Sequence, residues 1–315
     1  MKKFFRYIFC LLVLPFLVFF TNLNIGTHSN EFYKKFVDDL ISNDSLSIKI
    51  NLNDRQIVKS RISNQKTFKK NIVLGSSRSM LIGKPIDFEV DNYSVNGAII
   101  NDFENVYSHI KKENIKLDTV YLEISPWIFN ENSKESRYKE FNEPSFKRKI
   151  KKLFSLRYLI DNLHPKKYFP PQNEEDFVNY SDGSIKYDSK YRNQDNLKSI
   201  KNYTRKKDIY HLEGFNRIKK LKTSRLITLI ERIIEDGTIP VLIKHPYPSM
   251  IYSKILDRYP NINLTEKIID SLIEKFKIKS FGSFDSEKLN ITNDDYYDGM
   301  HLTPLGVKKL LKLHK

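Results

Sequence analysis

The chain reads as an α/β protein with a three-layer parallel sheet, helices on both of its faces, and a membrane helix at its N-terminus. Two observations predict this. Short apolar runs such as Ile72-Val73-Leu74, Thr119–Ile124 and Ile239–Ile243 alternate with longer amphipathic stretches between residues 71 and 315, the pattern of strand–helix–strand units. The alternation of strands with helices argues a parallel sheet with helices on both faces. At the start, Lys2, Lys3 and Arg6 precede an apolar run from Tyr7 to Phe20, the charge asymmetry of an export signal or signal-anchor.

The run to Phe20 is short against the about 20 residues a span usually needs. TNLNIGTHSN follows it, with no small-residue cleavage site, and Cys10 is followed by Leu11, unlike a lipoprotein cysteine. Residues 1–22 are therefore expected to remain as an anchor, with the rest of the chain outside the cytoplasm. Residues 23–70 are polar and lysine-rich, with a helix-like opening at Glu31–Leu40, and read as a stalk.

The domain of residues 71–315 begins with the strand Asn71–Leu74, and Phe88–Tyr93 reads as a second strand. Ile99–Lys111 has helical apolar spacing, and Thr119–Ile124 is a third strand that Pro126 terminates. Residues 131–222 break the alternation. They are dense in Lys, Asn, Asp, Glu and Tyr, with a helix at Ser155–Leu163 and an Asp-Gly turn within Asn179–Ser184. This stretch is expected to be an insertion over or beside the site. Regular alternation returns with a helix at Ser224–Asp236 stopped by Gly237, the strand Ile239–Ile243, a helix at Glu266–Phe276 and a short strand at Ile278–Phe281. Thr303-Pro304, a cap and a first-turn proline, then start a final helix.

Composition narrows the function classes. The chain has 315 residues, 40% apolar and 29% charged, with a formal net charge of +16. That balance excludes a multi-span membrane protein and favours anionic partners, although lysine is spread along the whole chain. Zinc-finger spacing, RNA-binding aromatic signatures and basic heptads are absent from the sequence, which argues against nucleic acid. With Cys10 the only cysteine, no intrachain disulfide can form, and no His/Asp/Glu spacing recommends a metal site. No cofactor is expected.

The chemistry-bearing residues stand at the two ends of the domain. Asn71–Met80 runs from a strand through Gly75 into Ser76-Ser77-Arg78-Ser79, and Asp298-Gly299-Met300-His301 precedes the last helix. A serine just past the carboxyl end of a strand, with an Asp and a His three residues apart, is the set that nucleophilic catalysis requires. The imidazole takes the serine proton, and the acid holds the imidazole in one tautomer. Asp294 and Asp295 stand near enough to compete for the acid role. The α/β-hydrolase elbow is excluded because Gly75-Ser76-Ser77-Arg78-Ser79 lacks the second glycine of G-x-S-x-G. Histidines 28, 109, 164, 211 and 314 lie in polar stretches and read as surface positions.

Taken together, Gly75-Ser76-Ser77, Val95-Asn96-Gly97 and Asp298-Gly299-Met300-His301 resemble, in order and strand context, the blocks of the SGNH (GDSL-like) hydrolase superfamily. The resemblance covers residues 71–130 and 237–315. It implies a flavodoxin-like sheet, Ser77 as nucleophile, His301 as base and Asp298 as its orienting acid. The backbone N–H groups of Ser77 and Gly97 would then form the oxyanion hole. Arg78, Asn96, Trp127 and His245 are candidate substrate contacts. One block departs: where the family carries G-x-N-D after its strand, this chain has Ser125-Pro126-Trp127-Ile128, so that Ser125, Trp127 or Asn130 would have to replace the asparagine donor. The departure resembles the divergent membrane-anchored branch that includes teichoic-acid D-alanylation and alginate-type O-acetylation proteins. This implies a serine O-acyltransferase or esterase acting on an envelope polysaccharide or acyl-carrying substrate, with a multi-span acyltransferase as a possible partner. A tethered small-ester or lipid esterase and a non-catalytic scaffold are the alternatives.

Overall fold

The structure, a computed structural model, describes residues 2–25, 30–48, 52–133, 139–142, 150, 153–163, 168–172, 177–187, 196–206, 209 and 212–313. Histidines 28, 164, 211 and 314 lie outside these residues. The N-terminal part holds α1 (Lys2–Ile25), α2 (Asn30–Asn43), β1 (Ser45–Ile48) and α3 (Asp54–Asn64). The first half of the sheet follows with β2 (Asn71–Leu74), β3 (Asp91–Asn92), α4 (Ile100–Lys112) and β4 (Thr119–Glu123). The inserted stretch carries α5 (Lys139–Asn142), α6 (Leu156–Leu163), β5 (Tyr168–Phe169), β6 (Val178–Tyr180), β7 (Ile185–Lys186) and α7 (Asn196–Arg205). The second half has α8 (Lys220–Glu235), β8 (Ile239–Lys244), α9 (Ser249–Arg258), α10 (Asn261–Phe276), β9 (Lys279–Gly282) and α11 (Pro304–Leu310).

The central sheet is parallel throughout, in the order β3-β2-β4-β8-β9. Side chains alternate across a strand, so the near-continuous apolar strands must be covered twice. Ile72 and Leu74 of β2, Val120 and Leu122 of β4 and Leu242 of β8 join one core with Phe103, Tyr107, Leu229, Ile233, Ile255 and Ile269 of the helices. Val73 and Ile243 face the other way, into a smaller core with Leu81, Ile86, Val307 and Leu310. The fold is thus α/β with both faces of the sheet covered.

Local signals place the element ends. The Thr303 hydroxyl caps α11 by accepting from the Gly306 N–H at 3.2 Å, with Pro304 in the first turn. The Asp102 carboxylate, at the third position of α4, accepts from the Ile99 N–H at 3.0 Å. Gly237, at φ +73°, follows the end of α8. The Asp182-Gly183 turn joins β6 to β7, with Gly183 at φ +81° and its Cα packed so closely on Arg61 and the Asn92 carbonyl that a Cβ would collide with both.

The N-terminal part is tied to the rest of the chain. Within residues 23–70, expected as a stalk, α3 and β1 bond to elements of the sheet and of the inserted stretch. Arg55 of α3 makes a fully buried two-pronged ion pair with Asp102 at 2.7 and 2.8 Å, and Arg61 donates to the Asn92 carbonyl at 2.7 Å and lies 3.6 Å from Asp91. Moreover, β1 pairs antiparallel with β5 and β6, so the segment before the domain and the inserted stretch share one small sheet, β5-β1-β6-β7. The helix expected near the N-terminus forms, but it is not free of the rest. The Asn22 side chain, buried, donates to the Leu153 and Ser155 carbonyls at 2.8 and 3.2 Å, and Phe19 stacks on Phe154 with ring centres 4.9 Å apart. Among the described residues no helix is long and apolar enough to cross a membrane.

Candidate active site

The site sits where the sheet order reverses. The first strand of the doubly wound half, β2, is flanked by β3 on one side and β4 on the other, and ligands of open α/β sheets gather outside the carboxyl ends of strands at such a point. The parallel ladder between β2 and β3 continues past both strands, with the Tyr93 N–H donating to the Val73 carbonyl and the Val95 N–H to the Gly75 carbonyl, each at 2.9 Å. Two residues beyond that last bond stand Ser77 and Gly97.

Gly75 must be glycine. A Cβ there would lie 2.6 Å from Ser79 Cβ and 2.9 Å from Glu123 Oε2. From Gly75 the chain turns through the short 3-10 segment Ser77–Ser79, capped by the Ser76 hydroxyl, which accepts from the Arg78 N–H at 3.2 Å. The turn presents Ser77, buried to 5% exposure, toward the loop that leads into α11.

Ser77, His301 and Asp298 meet. Ser77 Oγ lies 3.0 Å from His301 Nε2, and His301 Nδ1 lies 3.0 and 3.2 Å from the two Asp298 oxygens. Asp298 Oδ1 also accepts from the backbone N–H groups of Met300 and His301 at 2.7 and 2.8 Å. Burial pushes the Asp298 carboxyl up, but the hydrogen bond to His301 and these two N–H donors outweigh it and hold the pKa below the ordinary value. An ionised Asp298 can only accept, so it keeps the His301 proton on Nδ1 and leaves the Nε2 lone pair facing the serine. The rival Asp295 is occupied elsewhere, with its carboxylate accepting from the Thr292 N–H at 2.8 Å and from Lys309 at 2.7 Å.

Below the serine lies a buried polar layer centred on Glu123, the last residue of β4. Its carboxylate accepts from the Ser76 N–H at 2.6 Å and from the hydroxyls of Ser76, Ser79 and Ser125 at 2.7, 2.8 and 2.8 Å. His245 Nε2 lies 2.9 Å from the Ser79 hydroxyl, and among the described residues its Nδ1 has no partner. Since Ser79 donates to Glu123, it accepts from His245, which is therefore protonated on Nε2. Burial lowers the His245 pKa to about 3, against the opposing pull of Glu123, so the ring is neutral. At Glu123 burial acts upward, while the charge on Arg78 and the Ser76 donors act downward, as a protonated His245 would, and the downward causes prevail. With His245 neutral, Arg78 and the donors are what keep Glu123 ionised.

The four expected substrate contacts are placed differently. Arg78 is buried and grips two carbonyls, with Nε donating to Met300 at 3.3 Å and a terminal nitrogen to Pro246, while its guanidinium lies 4.4 Å over the Tyr247 ring. It ties the serine turn to the histidine loop. Trp127 is buried and donates to the Ala98 carbonyl at 3.3 Å. His245 is fully buried in the layer just described. Asn96 is exposed on its turn, its N–H held by Asp54 at 3.0 Å and its carbonyl by Arg55 at 3.2 Å. Three of the four, Arg78, Trp127 and His245, are thus buried behind the site, each with at least one polar atom bonded in the core.

The replacements considered for the missing asparagine donor are also engaged. The Ser125 hydroxyl serves Glu123, Trp127 Nε1 serves Ala98, and the Asn130 amide donates to the Glu213 carbonyl at 3.1 Å. Gly97, expected from the sequence to share the oxyanion hole with Ser77, lies on a turn with φ +57°.

Two residues were not singled out from the sequence. Glu123 carried a signal, as an acid within the apolar run TVYLEI, where only a buried partner could accommodate it. Tyr187 carried none. It comes from the inserted stretch, its hydroxyl donates to the Ser77 carbonyl at 2.6 Å, and its ring centre lies 5.6 Å from that of His301. Among the described residues no group of His, Cys, Asp and Glu could hold a metal ion. No family model and no curated protein matches this chain.

Proposed function

We propose that this chain is a membrane-anchored serine acyltransferase or esterase of the SGNH type, acting on O-acyl groups of a cell-envelope polysaccharide or related polymer. One observation carries the reading: Ser77 Oγ, His301 and Asp298 form a continuous hydrogen-bonded line with every link at about 3 Å. The reversal of strand order at β2 and the position of Ser77 past its carboxyl end support the fold-level part of the proposal.

In the proposed reaction Ser77 Oγ attacks the acyl carbonyl carbon while its proton passes to His301 Nε2. Asp298 stabilises the imidazolium that forms. The carbonyl oxygen, now an anion, is met by the N–H groups of Ser77 and Gly97. Collapse releases the alcohol, which takes the proton back from His301, and leaves Ser77 acylated. An acceptor hydroxyl, or water, then attacks the acyl carbon while giving its proton to His301, and Ser77 Oγ leaves and takes that proton back, which restores the resting pair.

Slow turnover is expected, because the side chains that could add a third oxyanion donor are committed elsewhere and one such donor is worth roughly 10²–10³ in rate. The net charge of +16 suits an anionic polymer. The purified chain is expected to be labelled at Ser77 by a fluorophosphonate and to hydrolyse p-nitrophenyl acetate weakly. Absence of labelling in folded protein would turn the reading toward a non-catalytic scaffold. Fast hydrolysis of small esters, with polymer acylation in cells unchanged by Ser77→Ala, would favour a plain esterase.

A further inference from the structure

Most of the large apolar side chains that the described residues leave exposed fall on two segments, α1 and residues 150–163. These segments touch each other. Asn22 and Phe19 pin one side of α1 to the start of α6, and Val18 is buried beside them. The other side of α1 leaves Phe16, Leu17 and Phe20 more than half exposed. On α6, Leu156, Ile160 and Leu163 repeat at the spacing of one helical stripe, and that stripe also faces outward, with Ile160 68% exposed. A helix in contact with water turns such a stripe to the core and its polar residues outward.

The sequence on either side of α6 is basic: Lys147, Arg148, Lys149, Lys151 and Lys152 come before it, and Lys166 and Lys167 after it. An outward apolar stripe, continuous with an apolar helix and flanked by cations, is the chemistry of a surface that enters the headgroup layer of an anionic bilayer. A protein partner would have no use for cations at both ends of the stripe unless it were itself acidic there.

We propose that α6 is a second membrane contact, an interfacial helix that lies in the bilayer surface beside α1. The inserted stretch would then have two tasks: its first part fixes the domain against lipid, and Tyr187, further along, holds the serine turn. This goes beyond the acyl-transfer reading and does not depend on it, but it rests on the attachment of α1 to a membrane.

The test uses the full chain and vesicles of phosphatidylcholine and phosphatidylglycerol in equal parts. Trp127, the single tryptophan, is buried and supplies a constant background. Ile160→Trp adds a reporter on the stripe, and Ile239→Trp adds one at an exposed position on neither segment. When the vesicles carry brominated acyl chains, the Ile160→Trp protein is expected to lose roughly half its added emission and the Ile239→Trp protein almost none. A protein that floats with the vesicles while both reporters behave alike overturns the contact and leaves the anchor intact. A protein that does not float overturns both. The presence or absence of fluorophosphonate labelling bears on neither outcome.

Discussion

Glu123→Gln isolates the layer beneath the nucleophile. The substitution keeps the shape of the side chain but exchanges one oxygen for an NH2 group. The Ser76 N–H, 2.6 Å from Oε2, cannot turn away, so the amide oxygen must take that place. The NH2 group then faces the hydroxyls of Ser76 and Ser125, which rotate to accept from it. Four bonds to a charged acceptor become bonds to or from a neutral amide, at about 1 kcal/mol lost for each. Relief from burying a charge offsets part of that, leaving a net destabilisation of about 1–3 kcal/mol, which a folded domain survives. Alanine would instead strand four buried donors, and its failure would not distinguish folding from positioning. The kinetic effect should be larger than the stability effect suggests. Ser76 and Ser79, on either side of the nucleophile, both hang on this carboxylate, and misplacing a reacting group by about 1 Å costs roughly 100-fold. The expected result is a fluorophosphonate labelling rate lowered about 10- to 100-fold in protein that still unfolds cooperatively, and kcat on p-nitrophenyl acetate reduced with KM nearly unchanged. Labelling of folded Glu123→Gln protein at the unsubstituted rate would refute the positioning role.

Further outcomes follow from the same geometry. Ser77→Ala and His301→Ala are each expected to abolish labelling and ester hydrolysis without shifting the urea midpoint much, which chemical denaturation run beside the labelling assay checks. Tyr187→Phe removes the bond to the Ser77 carbonyl but keeps the ring, so a stability loss of about 0.5–1.5 kcal/mol and a several-fold drop in labelling rate are expected from the same pair of measurements. His245 refuses a proton in the fold until about pH 3, whereas the unfolded chain accepts one below about 6.5. Its contribution to stability is therefore complete above pH 6.5 and is lost as the pH falls from there toward 3. His245→Gln should flatten that part of a plot of denaturation midpoint against pH. Arg55→Ala strands Asp102 in the core and should cost about 3–5 kcal/mol in a urea melt; a loss below 1 kcal/mol would mean that α3 is not packed as described.

The central sheet was legible because its strands must be apolar on both faces. Ile72-Val73-Leu74, Val120–Leu122 and Val241–Ile243 leave no polar side to turn to water, and the helices between them carry matching stripes and recognisable caps at Thr303 and Gly237. The small sheet was not legible. β5, β6 and β7 have two or three residues each, too few for any period to show, and β1 finds its partners more than a hundred residues away. The packing of the N-terminal segment was not legible for a related reason. Arg55 and Arg61 look like solvated charges in a lysine-rich stretch, and only the partners Asp102 and Asp91, supplied by distant elements, make them core residues.

The sequence by itself determined the parallel α/β sheet, the short spacing of Asp298 and His301 that lets one carboxylate orient one imidazole, and the glycine that lets the serine turn lie against β4. These follow from local periodicity, from turn chemistry and from side chains a few residues apart. Only the tertiary structure decided what lies behind Ser77. Glu123, His245, Arg78 and Tyr187 come from different strands and loops, and whether such a group meets substrate or the protein interior depends on which partners the fold brings within hydrogen-bond reach. An arginine that finds two carbonyls and a histidine that finds one hydroxyl become part of the frame, because a buried polar group is held where the fold supplies it a partner.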